Sequence, residues 1–497
     1  MKRMLRTAST LLATVAFSSA VLAQSPSLAT TYKPTADKLI TASLADPEGY
    51  ANLQYLCDHI GKRVSGSESL MKAIAWATDL MQKDGLANVH TQAATVPHWV
   101  RGEESGEIIA PVTKKLHLLG LGMSVATPPA GITAEVVVVP DFDALKKLGK
   151  AGITGKIVVF NAPYKGYGQT VMYRTAGPSQ AAALGAVGVL VRSITPLAVQ
   201  LPHTGTTVYD ETQPKIPAAA ISLEDATMLD RLQAEGHPVK VHFQMQAHME
   251  APQVAANVMG DIIGSEHPEQ IVVIGGHIDS WDVGQGAQDD GSGIMATLAA
   301  VREIQKLGLK PKRTIRICFW VNEENGGAGG KAYRAALSPS ELKNHVAAIE
   351  MDGGAEPPVG YGYGAAPGGG RRRATPGDTA PAGPPPGLSP AEEHSLALLR
   401  DIGTLLTPVL TTTATHTEAI TPGGGGSDIS PLMADGVPGL GESTTGAHYF
   451  DWHHTEADTL DKVNPGDFRK NVASLAVMTY ILADMPETLT GHKGAGE

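Results

Sequence analysis

Five short segments of this sequence place imidazoles and carboxylates where they could bind divalent cations and move protons. Gly275-Gly276-His277-Ile278-Asp279-Ser280 follows the apolar run 271–274. His277 and Asp279 therefore fall at the carboxyl end of a predicted strand, the edge where open α/β sheets bind ligands. Gly286-Ala287-Gln288-Asp289-Asp290-Gly291-Ser292-Gly293 reads as an acidic loop at the mouth of a helix. Carboxylates held there are costly without a counter-charge; the competing role is capping of that helix by Asp290 or Ser292, and both can hold at once. A predicted strand over 315–321 runs into Asn322-Glu323-Glu324. Adjacent residues leaving a strand point different ways, so one acid can move a proton while the other binds metal. A third strand, 347–351, ends in Asp352-Gly353-Gly354, and Trp452-His453-His454-Thr455 supplies two imidazoles on a late turn. Each segment alone is bland, and five of them, most at strand ends, are not.

Two histidines and three carboxylates suit a borderline dication such as zinc, with one carboxylate shared between two metals. Two dications bring about four positive charges, and three carboxylates with a hydroxide return about four negative ones. That balance favours a paired site over a single ion.

The elements that must position these groups alternate. Strands are predicted over 271–274, 314–320, 346–351 and 437–440, with helices between them, and Ile294, Leu298, Val301 and Ile304 share one helical face. The expected fold class is α/β: a mixed, mostly parallel sheet sandwiched by helices. Helices are also predicted over 53–60, 70–81 and 468–485. The stretch 133–248 has a different grammar, with short β runs at 134–139 and 155–160 and an Ala-rich helix passing into a strand over 181–191, and it reads as a separate small α/β unit. Its turn Pro202-His203-Thr204-Gly205 could reach an active site as a substrate contact, although a lone loop histidine is more often solvated. The stretch 365–390, with Gly368-Gly369-Gly370, Arg371-Arg372-Arg373 and Pro384-Pro385-Pro386, reads as a flexible surface loop. After the glycines 423–426, Asp428 is either a turn aspartate or a contact for a substrate amine.

Composition sets outer bounds. The 497 residues include 39 Lys plus Arg against 50 Asp plus Glu, a formal charge of −11, which argues against a nucleic-acid or anionic-membrane partner. Lys2, Arg3 and Arg6, then an apolar run over 11–22 ending in Val21-Leu22-Ala23, read as a signal peptide over 1–23, too short to span a bilayer. The protein is thus expected to be exported, to periplasm or medium, with no membrane anchor after cleavage. Cys57 and Cys318 are the two cysteines, which excludes a disulfide scaffold and points to two buried thiols.

On Gly276-His277-Ile278-Asp279-Ser280-Trp281-Asp282-Val283-Gly284-Gln285-Gly286, Pro311-Lys312-Arg313-Thr314 and Trp452-His453-His454, the chain resembles the co-catalytic zinc aminopeptidase and glutamate carboxypeptidase family, in its carboxypeptidase Q-like branch. The resemblance runs over nearly the whole mature chain. It implies a zinc-exopeptidase fold divided into 24–121, the first part of the peptidase domain; 122–248, an inserted protease-associated domain containing Lys215-Ile216-Pro217; and 249–497, the catalytic domain. It further implies two zinc ions per subunit, with His277 and Asp352 on one, Glu324 and His454 on the other, and Asp289 bridging. Glu323 would be the general base, and Asp279 would orient His277. His453 competes for the place of His454, which is preferred because Thr455 follows it; His453 is otherwise a candidate substrate contact. The implied function is hydrolysis of short peptides, dipeptides with free termini above all, by metal-activated water in a homodimer whose inserted domain helps roof the site. Its rivals are an aminopeptidase trimming longer peptides and a non-catalytic binding protein on the same fold, as among transferrin-receptor-like relatives. Two departures from the family pattern stand out, the 365–390 loop and the glycine run before Asp428.

Overall fold

The computed structural model describes residues 27–364, 388–414 and 417–491. The 1–23 segment and nearly all of the 365–390 stretch lie outside the described residues. The end of that stretch does not: Leu388 packs on the core and Ser389 and Pro390 open helix Pro390–Leu405, with Ser389 and Glu392 forming a reciprocal cap.

Two eight-stranded sheets organise the chain. The larger runs Ala87–Val100, His248–Ile262, Arg313–Trp320, His267–His277, His345–Glu350, Gly439–Thr444, Pro358–Tyr363, Ile420–Pro422. Its three central pairings, from Arg313–Trp320 across to Gly439–Thr444, are parallel, and the first two are antiparallel. The four strands predicted for this sheet are all present, and the sheet is mixed as expected.

Strand alternation decides which face each residue serves. Val272, Ile274, Ile315, Ile317 and Phe319 pack into the main core, whereas Ile271, Val273, Cys318 and Trp320 point the other way, into a smaller cluster with Tyr333 and Leu432. Burying each such side chain stabilises by roughly 1.5–3 kcal/mol. Helix Ser292–Lys306 packs on this sheet beside helix Pro465–Asp484, which also touches the sheet. Every residue from Ser292 to Ile304 is buried, not only the predicted face, because the second helix covers the side that would otherwise meet water. Cys57 and Cys318 are both buried and free. No helix among the described residues is long and apolar enough to cross a membrane.

The second sheet runs Lys114–Lys115, Glu104–Ala110, Lys240–Met245, Ile132–Val139, Ile157–Phe160, Gly188–Arg192, Ala218–Ile221, Leu118–Gly120. It begins ahead of the boundary expected at residue 122, since Glu104–Ala110, Lys114–Lys115 and Leu118–Gly120 all pair within it. These are short strands, two of them at the sheet edges, with little apolar alternation to announce them. The chain enters and leaves this insert through two long paired strands, Ala87–Val100 and His248–Ile262, which join it to the main sheet.

Candidate metal centre

Parallel strands deliver the predicted groups to one edge. His277 ends its strand, with Asp279 two residues on; Glu323 and Glu324 follow Arg313–Trp320; and Asp352 follows His345–Glu350. Asp289 arrives from the turn before helix Ser292–Lys306, a turn held by Asp458, whose carboxylate accepts the N–H groups of Ala287 (3.2 Å), Gln288 (2.7 Å) and Asp289 (3.2 Å). Asp290 serves as the expected helix-end acceptor: its Oδ1 takes the N–H of Gly293 (3.1 Å) and its Oδ2 that of His277 (3.1 Å).

Asp289 stands between the histidines. Its Oδ1 lies 3.2 Å from His277 Nε2, and its Oδ2 lies 3.2 Å from His454 Nε2. Asp352 Oδ1 is 3.4 Å from His277 Nε2, and Glu324 Oε2 is 3.1 Å from His454 Nε2. The five predicted ligands thus form two groups sharing one carboxylate. His453 stacks on His454 with ring centroids 3.5 Å apart and reaches Asp289 Oδ2 at 3.4 Å. His454 lies close to both Glu324 and Asp289, and its left-handed backbone, φ 61°, belongs to the turn that brings it inward.

The electrostatics call for positive charge here. Burial opposes a charge on His277, yet Asp352 and Asp289 outweigh it and hold its pKa well above the ordinary value. Burial likewise opposes a charge on His454, whose pKa Glu324 and Asp289 push up to about 10. Burial, with Asp289 beside it, pushes Glu324 up to about 7. Protons or metal ions can supply the missing charge. The donor set fits metal: Asp289 Oδ2, Glu324 Oε1 and His454 Nε2 are buried without a hydrogen-bond partner among the described residues, although His454 Nε2 faces Asp289 Oδ2 and the other oxygen of Glu324. Buried polar atoms are otherwise almost always satisfied.

His277 Nδ1 lies 3.0 Å from the main-chain carbonyl of Asp279, which can only accept, so Nδ1 carries the proton and Nε2 faces Asp289. The Asp279 carboxylate is farther, 3.8 Å, and instead accepts the N–H of Glu323 (3.1 Å). Asp279 thus touches both the histidine strand and the Glu323 turn, and burial raises its pKa to about 6. Glu323 is half-buried, and its charge acts on Asp279, Asp352 and Asp428.

One expectation is corrected. His203 is not solvated: it is 3% exposed, its N–H donates to Ser193 Oγ (2.9 Å), and burial, with His454 next to it, pushes its pKa down to about 3. The turn carrying it is pressed onto the main unit and not turned outward. Asp428 sits in a turn, and that turn is buried. Asp428 is 2% exposed beside Glu350, and burial with the Glu350 charge holds its pKa well above the usual range. Glu350, Asp458, Trp281 and Arg63 went unassigned in the sequence. Trp281 donates its indole N–H to Glu324 Oε2 (2.7 Å). Fully buried Arg63 binds the carbonyls of Ile278 (2.7 Å), Gln285 (2.8 Å) and Gly286 (3.0 Å), tying the His277 and Asp289 segments together. An acid inside an apolar strand, as Glu350 is, was the available signal; Asp458 and Arg63 act on backbone groups distant in sequence, and Trp281 on a carboxylate brought to it by the fold.

A buried cluster of imidazoles and carboxylates on the carboxyl edge of a mixed α/β sheet defines a metal-dependent hydrolase. The comparisons narrow the class. Residues 257–479 match peptidase family M28. Carboxypeptidase Q of Mus musculus is 38% identical over 440 residues, 88% of this chain and 86% of that protein. The crystal structure of a peptidase M28 precursor from Shewanella amazonensis SB2B superposes with a TM-score of 0.82 at 32% identity, over 93% of this chain and 98% of that one. A zinc aminopeptidase of Bacillus subtilis shares the fold, with a TM-score of 0.62 at 18% identity over 88% of this chain and 95% of that one. The chain belongs to peptidase family M28, and with it is a zinc metallo-exopeptidase acting on peptides.

Proposed function

We propose that the protein is an exported peptidase with two zinc ions per subunit that hydrolyses short peptides, dipeptides with free termini above all. The observation that carries this reading is Asp289, with one oxygen toward His277 and the other toward His454, each 3.2 Å away. A carboxylate so shared would serve both ions of a paired site. His277 and Asp352 would hold one ion and Glu324 and His454 the other. When bound, the ions supply a low-pKa water and a Lewis acid for the scissile carbonyl. Glu323, at the mouth of the site, takes the proton of the attacking water and returns it to the leaving amine. Asp279 fixes the main chain of Glu323 and, through its carbonyl, the tautomer of His277. Asp458 and Arg63 hold the Asp289 turn in place, so the acids need not rearrange during the reaction.

The preference for short substrates follows from the family resemblance, and the site itself is enclosed. The cavity at Trp281, Asp289, Glu324 and His454 is about 10 Å³, and the insert closes over it through the bond from Thr204 N–H to the His454 carbonyl (3.0 Å). The insert plays the part of the protease-associated domain in the resembling family, and the homodimer and the leader over 1–23 come from that same resemblance and sequence pattern. One observation favours the second reading, trimming of longer peptides. Val283 lines both that cavity and a groove of about 720 Å³ bounded by Lys62, Arg101, Glu104 and Asp282, which would let a longer chain run outward.

Hydrolysis of a free dipeptide, its N-blocked and C-amidated forms and a free pentapeptide, each with chelator and then added zinc, separates the two. Zinc-restored cleavage of the free dipeptide alone supports the dipeptidase; rapid trimming of the pentapeptide overturns it in favour of the aminopeptidase.

A further inference from the structure

The two sides of the Asp289 carboxylate are held by different parts of the molecule. On the His277 side the partners belong to the main unit: Asp279 O takes the imidazole proton (3.0 Å) and Asp290 the main-chain N–H (3.1 Å). On the other side the partners come from the insert. The Thr204 carbonyl accepts from His454 Nδ1 (3.3 Å), and the Thr204 N–H donates to the His454 carbonyl (3.0 Å). A carbonyl cannot donate, so this contact puts the proton on Nδ1 and leaves Nε2 toward Glu324 and Asp289. The second lone pair of the same carbonyl is taken by buried Arg174, whose Nη1 donates at 3.1 Å while its Nη2 donates to the Tyr167 hydroxyl at 2.7 Å.

Glu324 is gripped from the same direction. Thr206 Oγ1 donates to its main-chain carbonyl (2.6 Å). Trp281, the indole donor to the Glu324 carboxylate, belongs to the main unit by sequence but packs inside an apolar core of the insert with Phe243, Val241 and Leu229. Two glycines of the insert make this approach possible. A Cβ on Gly122 would lie 2.0 Å from the Trp281 ring, and one on Gly205, whose φ is +134°, would lie 2.1 Å from Arg174 Nη1.

We propose that the insert is a structural half of the metal centre: Thr204, Thr206 and Arg174 are positioning residues for His454 and Glu324, and they set the affinity of one metal ion of the pair while leaving the ion at His277 and Asp352 almost untouched. This rests on the paired-metal reading. A covering domain that only roofs the cleft would alter substrate binding alone; one that fixes a ligand's tautomer alters metal binding before any substrate is present.

The test is equilibrium dialysis of the metal-stripped full chain against buffered zinc, with bound zinc counted per subunit, for the parent and for Thr206→Val, Arg174→Met and Gly205→Ala. The parent should take up two ions. Each variant should keep one at parental affinity and bind the other about 10- to 100-fold more weakly, the range for loss of a partner that orients a ligand. Arg174→Lys, which keeps a donor near the Thr204 carbonyl, should recover part of the loss. Thr206→Val, nearly isosteric, carries the test if Gly205→Ala does not fold, and thermal unfolding in chelator should leave it close to the parent. Unchanged affinity for both ions, or an equal fall at both, overturns the proposal while sparing the paired-metal reading. A parent that binds a single zinc overturns both.

Discussion

The main sheet and the insert's sheet share a scheme, eight strands with three consecutive parallel pairings at the centre, and differ in what their strand ends do. In the insert, polar groups after the strands close helices and turns: Asp141 takes the N–H of Ala144 (2.8 Å), Ser222 that of Asp225 (3.1 Å), and Ser193 donates to the Ile221 carbonyl (2.8 Å). In the main sheet, the groups at the same edge face one another, and among the described residues the cations that meet them are the histidines and, for Asp279, Asp290 and Asp458, buried Arg63. The edge of a parallel sheet is therefore an opportunity and not a function; unmet charge is what marks use.

The largest expected effect lies where that difference is sharpest. Asp289→Asn should abolish both zinc uptake and hydrolysis, and Glu323→Gln should lower kcat by about 10²- to 10⁴-fold while zinc uptake persists. Metal counting beside steady-state kinetics checks both, and loss of zinc in Glu323→Gln would contradict the role given to it.

Next comes a residue that looks like the insert's caps but serves the centre. Asp458→Ala removes the acceptor for three N–H groups of the Asp289 turn and should weaken zinc binding about 10- to 100-fold, measured by the same dialysis. Its counterpart in the insert, Asp141→Ala, should cost about 1 kcal/mol of stability by denaturant titration and leave kcat/KM at the parental value. If Asp141→Ala damages zinc binding as much as Asp458→Ala does, the contrast between the two sheets fails.

The smallest effect is in pH dependence, where the two units should move in opposite directions. In the main sheet, burial pushes the Glu442 carboxyl up to about 8. The folded state then holds this proton more tightly than the unfolded chain does, so its contribution is full below about pH 4.3, the ordinary value, and is lost as pH rises toward 8. In the insert, burial works against the charge on Asp225, but Lys114 and His117 outweigh it and hold its pKa below the ordinary range. That contribution is present above about pH 3.9 and is lost as pH falls below it. Thermal unfolding between pH 3 and 9 should show Glu442→Gln gaining on the parent as pH rises, and Asp225→Asn lagging at neutrality but not in acid. Parallel profiles for the two variants would contradict both assignments.

How far the sequence was legible follows the same division. His277, Glu323, Glu324 and Asp352 could be found because strand periodicity places them at one edge, and the structure brings them together with Asp289 and His454. Helix 292–306 was legible in existence but not in burial, because its second covering comes from Pro465–Asp484, far along the chain. The burial of His203 and Asp428 was not legible, since a turn's exposure depends on what it packs against and not on its own residues. Thr204, Arg174 and Asp458 act through main-chain groups, which every residue carries, so no pattern of side chains announces them. The start of the insert near residue 101 was hidden by strands as short and polar as Lys114–Lys115.

The two sealed cysteines bear on how the insert and the main unit can be watched relative to one another. Cys57 is 2% exposed, with burial pushing its thiol up to about 12, and Cys318 is 0% exposed. With no other cysteine in the chain, its surface is silent toward thiol reagents. Val254, 65% exposed on the long strand that returns from the insert, can then be changed as Val254→Cys to give one labelling position, and a second on the insert's outer face would complete a dye pair. Energy transfer between the dyes would report, in the intact protein and in real time, whether the two units rock as substrate enters.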